Sequence, residues 1–174
     1  MADLPYRMAL EQHRELRSRS FNRPARYVLL ALIAAVPVLG LANVFGQHSE
    51  TLTARSAKAD LELSAPSHLR GGLLYQARFT IRAHEKLTHA TLLLTPGWAE
   101  GQTINTIEPS PIAQTSRDGD LLFTLGTVPK GQHYTLYLDF QVNPTNVGER
   151  REDVELDDGP TVIARVHRSL TIFP

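Results

Sequence analysis

Residues 134–142 read YTLYLDFQV. Tyr134, Leu136, Leu138, Phe140 and Val142 share one parity, and Thr135, Tyr137, Asp139 and Gln141 share the other. Side chains alternate across a strand with a period of two, so this stretch reads as a strand with one buried and one wet face. Residues 75–81 repeat the pattern: Tyr75, Ala77, Phe79 and Ile81 alternate with Gln76, Arg78 and Thr80. Ala59, Leu61 and Leu63 do so again around Asp60 and Glu62.

Working outward, further short strands fall at 90–95 (ATLLLT), 103–107, 121–125 (LLFTL), 154–156 and from Val162 through Val166 and Leu170 to Ile172. Turn residues separate them: Ser64-Ala65-Pro66, Pro96-Gly97, Pro109-Ser110-Pro111, Asp118-Gly119, Pro129-Lys130-Gly131 and Asp158-Gly159. Gly and Pro supply the special backbone angles that tight turns need, and Asp-Gly between apolar runs is a hairpin signal. The spacing predicts an all-β domain over 57–174 of about seven or eight strands, an antiparallel β-sandwich, with a closed barrel as the other option. A core on this scale needs no covalent staple, since each buried Leu or Phe contributes about 1.5–3 kcal/mol.

Upstream, the period vanishes. Residues 27–45 read YVLLALIAAVPVLGLANVF, without one charge. At 1.5 Å per residue this is roughly 28 Å of helix, about the thickness of a hydrocarbon core. Pro37 and Gly40 weaken a helix in water but are tolerated in lipid, and Tyr27 suits an interfacial position. The expected transmembrane helix covers 27–46. A basic segment (1–26) precedes it and a polar neck (47–56) follows. Before the run stand six arginines, Arg7, Arg14, Arg17, Arg19, Arg23 and Arg26, against Asp3, Glu11 and Glu15. By the positive-inside rule they place the N-terminus in the cytoplasm and the β domain outside a plasma membrane. Arg14, Arg17, Arg19, Arg23 and Arg26 therefore read as topology determinants. The rival is a signal peptide: Gly40-Leu41-Ala42 has the small-residue spacing of a cleavage site, which would release the domain near Ala42. The apolar run continuing beyond that point, and the 26 residues before it, favour an uncleaved anchor.

Lys and Arg total 18, as do Asp and Glu; removing the first 26 residues leaves the remainder mildly acidic, which argues against nucleic acid as a partner. The absence of cysteine excludes disulfides, thiol chemistry and a lipoprotein anchor, and fits a bacterial envelope.

The seven histidines (13, 48, 68, 84, 89, 133 and 167) lack the paired spacing of zinc sites and read as surface residues. Asp118-Gly119-Asp120 and Asp157-Asp158-Gly159 read as turns, because neither has the ligand offsets of an EF-hand. Gly-x-Ser-x-Gly is absent. Glu152, Asp153 and Glu155 beside Arg150 and Arg151 read as a solvated charged edge. No catalytic residue, cofactor or metal ligand is expected, and the chain reads as no enzyme.

Trp98, after Pro96-Gly97, is a candidate partner or sugar contact, against the alternative that it folds back over the sandwich end. In the membrane run, Ala34, Ala35, Gly40 and Ala42 would allow close helix packing against another membrane or envelope protein.

The order of alternating strand (75–81), Leu-rich strand closed by Pro96-Gly97, Ile107-Glu108-Pro109, Asp118-Gly119, Val128-Pro129-Lys130-Gly131, strand 134–142 and terminal Ile172-Phe173-Pro174 resembles the immunoglobulin-like sandwich repeats of bacterial surface proteins. The resemblance implies a non-catalytic role in spacing, adhesion or assembly. An accessory or interaction subunit of an envelope membrane complex is the leading expectation. A cell-surface ligand- or glycan-binding module is the alternative.

Overall fold

The computed structural model describes residues 24–41 and 48–174. The chain divides into two compact units, Met1–Gly46 and Gln47–Pro174. In the first, helix α1 (Pro24–Leu41) is long and apolar enough to cross a membrane, and all of its residues are exposed. Pro24 sits at the first turn, where its missing N–H is no loss.

The second unit is a β-sandwich. Thirteen strands are present among the described residues: β1 (Ser49–Arg55), β2 (Ala59–Pro66), β3 (His68–Arg70), β4 (Leu74–Ala83), β5 (Leu87–Leu94), β6 (Gln102–Glu108), β7 (Ala113–Arg117), β8 (Asp120–Val128), β9 (His133–Val142), β10 (Gly148–Arg151), β11 (Val154–Asp158), β12 (Thr161–Val166) and β13 (Ser169–Phe173). One five-stranded sheet has the order β1-β2-β4-β9-β6 and the other β12-β11-β5-β8-β7, every neighbouring pair antiparallel. Their separation settles sandwich against barrel. A small third sheet, β10-β13-β3, contains a parallel pair, β13 with β3.

The period-two reading holds where it was strongest. Leu136, Leu138, Phe140 and Val142 of β9, and Tyr75, Ala77, Phe79 and Ile81 of β4, all enter one hydrophobic core with Leu92, Leu94, Phe123 and Leu156 of the opposite sheet. The turn Asp118-Gly119 joins β7 to β8 with φ of 53° and 91°, the left-handed pair that a tight hairpin requires.

The structure departs from these expectations at several places. Residues 49–55 are no neck but an edge strand, pairing antiparallel with β2 from Ser49–Pro66 to Arg55–Asp60. An edge strand buries little, so SETLTAR lacks the apolar alternation that marks its neighbours. The expected last strand breaks at His167-Arg168 into β12 and β13, which join different sheets. Strands β3, β7 and β10 lie in segments where the sequence pattern predicts no strand.

The pairing defines two ends. Ser49, Pro66, Leu74, Val142 and Gln102 lie at one, here the near end, where the chain enters the domain. The turns Arg55–Asp60 and Asp158–Thr161 lie at the far end.

Candidate functional site

The near end is closed by a buried polar cluster. Residues 96–98 form one turn of 3-10 helix, with Pro96 at its start. Gly97 is required there because a Cβ would stand 2.0 Å from the Arg151 carbonyl oxygen. That close approach lets the β10–β11 connection lie directly on the turn, which drives Trp98 inward.

Trp98 is 0% exposed. Its ring lies 5.5 Å from Phe79 and 5.3 Å from Phe140, and its Nε1 donates to the Asp153 carbonyl oxygen at 3.2 Å. The Arg168 guanidinium lies 4.9 Å over the ring, within cation–π range.

Arg168 Nη2 in turn stands 2.9 Å from Glu152 Oε2 and donates to the Pro66 carbonyl at 2.8 Å. That Glu152 oxygen gains a charge contact but no directed hydrogen bond. Glu152 Oε1 accepts from Gln102 Nε2 at 2.7 Å, and Gln102 Oε1 accepts from the Tyr75 hydroxyl at 2.5 Å. The chain Tyr75–Gln102–Glu152–Arg168–Trp98 thus runs through the core.

Burial pushes the Glu152 carboxyl above its ordinary value, and the opposing pull of Arg168, Gln102 and Arg150 does not cancel it. Burial, then the charge of Glu152, pushes the Tyr75 hydroxyl well up. A raised carboxyl beside an arginine is a usual flag for acid–base chemistry. Here Glu152 is fully enclosed, so nothing reaches it, and the network's work is to hold the end of the sandwich together.

The expected solvated edge is therefore wrong for Glu152 and Asp153. Each acid of that run has its own basic partner: Glu152 has Arg168, Asp153 has Arg151 at 2.8 Å and the His167 ring at 3.0 Å, and Glu155 has Arg165 at 2.6 Å. A shallow concavity lies outside this cluster, lined by Glu149, Arg151, Asp153, His167, Arg168 and Ser169. Its central Asp153 Oδ2 is occupied by Arg151 and His167, and no group of three His, Asp or Glu side chains among the described residues is placed to hold a metal ion.

Trp98 as a partner or sugar contact is corrected by its burial: the flanking Gly97 packing and the Asp153 carbonyl turn the indole into the core, leaving it no surface to offer. Asp158 proves to be a turn residue, whose Oδ1 accepts the backbone N–H groups of Thr88 and His89 at 2.9 and 2.8 Å. These bonds, that of His89 foremost, hold its carboxyl below the usual range. Ala34, Ala35 and Gly40 are exposed on α1, as is Arg26 near its start. Ala42, Arg14, Arg17, Arg19 and Arg23 lie outside the described residues.

The fold is that of an immunoglobulin-like β-sandwich. No protein-family model matches the sequence, and no curated protein matches it. Among solved structures, similar chains include CaCohA2 from Clostridium acetobutylicum, with 15% identity over 68% of this chain and 92% of that one and a TM-score of 0.46. A CARDB domain from Pyrococcus furiosus is 13% identical over 71% and 95%, with a TM-score of 0.45. The chitin-binding domain of a Pyrococcus furiosus chitinase is 15% identical over 63% and 95%, with a TM-score of 0.40.

Proposed function

We propose that the protein is a non-catalytic, single-pass membrane protein whose β-sandwich stands outside the plasma membrane as an interaction module, an accessory subunit of an envelope membrane complex. One observation carries this reading: α1 exposes an unbroken apolar surface on all sides, from Val28 through Leu39. A helix hydrophobic all round needs lipid or other helices to cover it. The arginines at 14, 17, 19, 23 and 26 set the orientation. The small residues Ala34, Ala35, Gly40 and Ala42 give a partner helix room to approach. The sandwich supports a binding role because its charged groups are used in closing its own end rather than in lining a reactive cleft.

Alkaline carbonate treatment of membranes tests the anchor. The chain is expected to stay in the pellet with an intact mass that includes residues 1–46. Recovery in the supernatant as a fragment beginning near Ala42 or Asn43 would instead support the secreted form.

A further inference from the structure

Of the large apolar side chains exposed on the described sandwich, Ile112, Tyr137 and Val162 stand elsewhere, while the other four gather at one end. Leu73, Leu74, Val147 and Phe173 are exposed, and backbone bonds gather them at the near end. Gly71 N–H donates to the Phe173 carbonyl at 2.8 Å, and Val142 N–H donates to that of Leu73 at 3.0 Å. Gly148, next to Val147, lies opposite Ile172, next to Phe173. The strand that brings the chain into the domain starts there too: Ser49 faces Pro66, and the Ser67 carbonyl receives the Thr171 N–H at 2.9 Å. The turns of the far end carry Arg55, Lys58, Lys130 and Asp158, with Val162 the exposed apolar side chain beside them.

Chain length decides what covers this patch. If the apolar run ends at Gly46, two residues, Gln47 and His48, remain before Ser49, and the three fully extended Cα–Cα steps reach only about 10 Å. The headgroup layer beyond the hydrocarbon is itself roughly 5–7 Å deep on each side. On the anchored reading, so short a tether would keep the entry point of the sandwich close to the headgroups, and the four apolar residues share its end.

The geometry points to a lipid-docking surface: Leu73, Leu74, Val147 and Phe173 rest on the outer leaflet and hold the sandwich against the bilayer. The inference rests on the anchored reading given above. Its rim mixes signs, with Arg70 on β3, Glu149 on β10 and Glu50 on β1, all exposed. The contact is thus apolar rather than electrostatic and should persist at high salt, where attraction between exposed charges is screened.

The lack of native cysteine makes the test clean. Val147 and Val162 are both 53% exposed, but Val162 lies beside the far-end turn, about 30 Å away at the rise of a ten-residue strand. Full-length chains carrying Val147→Cys or Val162→Cys are labelled with an environment-sensitive fluorophore and reconstituted into vesicles of phosphatidylcholine and phosphatidylglycerol containing headgroup nitroxide lipid. Flotation is measured on the same samples. The label at 147 should be quenched severalfold more than that at 162, with and without high salt. Equal, weak quenching in chains that float with the vesicles overturns the docking surface while leaving the anchor intact, and leaves this end to a protein partner. Chains that fail to float overturn both.

Discussion

Replacing Glu152 by alanine is expected to cost the sandwich about 3–5 kcal/mol, because it leaves the buried Arg168 charge without its counterion. That is a large share of the 5–15 kcal/mol typical of a whole domain, and roughly 10–20 °C in melting temperature for a unit of this size. The side chains concerned are 5% and 0% exposed, so water cannot step in as the replacement partner. The double substitution Glu152→Leu with Arg168→Met should recover most of the loss. Burial already outweighs the attraction of Arg168 in setting the Glu152 carboxyl, which is the condition under which an apolar pair does as well as an ionic one. Recovery will stop short of complete, since the Pro66 carbonyl loses its donor.

The same shift predicts a pH dependence. The folded carboxyl titrates above its ordinary 4.5, so the fold favours its protonated form. The stability this group contributes is fully present below the unfolded value and is lost as pH rises through the folded one. Wild type minus Glu152→Gln should therefore fall as pH climbs from below 4.5 towards neutrality. Melting curves of the detergent-solubilised chains check both effects. A flat pH difference, or an alanine variant as stable as wild type, would contradict the network.

Trp98→Ala should be about as damaging, at about 3–5 kcal/mol, because it empties a fully buried site between Phe79, Phe140 and Arg168. The missing hydrogen bond is a minor part. The Asp153 carbonyl still accepts from Thr95 N at 3.1 Å and from Thr95 Oγ1 at 3.2 Å, so it is not orphaned. Trp98→Phe, which keeps a ring in place, should consequently lose much less than the alanine variant. Circular dichroism melts of the two variants make the comparison. Equal losses would mean that the hydrogen bond, not the packing, holds this corner.

What could be read from residues alone follows the physics of exposure. Strands β4 and β9 are central, with one face wholly buried, so their apolar parity is unmixed and legible. Strand β1 is an edge and needs little apolar content, so its sequence is indistinguishable from a polar neck. The ion pair of Glu152 with Arg168 spans sixteen positions, and nothing local distinguishes Glu152 from Glu155, which pairs with Arg165 at a half-exposed surface. Arg168 is legible as the break in the last alternating run, where Val166 and Leu170 keep parity across three polar residues and Arg168 occupies the apolar parity between them. Trp98 beside Pro96-Gly97 marked the right corner but not its direction, since only the approach of the Arg151 carbonyl to Gly97 turns the ring inward. The near-end apolar cluster comes from the start of β4, the loop before β10 and the end of β13, which only the sheet pairing brings together.

The whole account depends on the apolar run remaining in the bilayer with the sandwich outside. Single cysteines at Ser20 and Val162, probed in intact cells with a membrane-impermeant maleimide, test this most directly. The account predicts labelling at 162 in intact cells and at 20 only after permeabilisation. Labelling at 20 in intact cells, or protection of 162 until the membrane is opened, would contradict it.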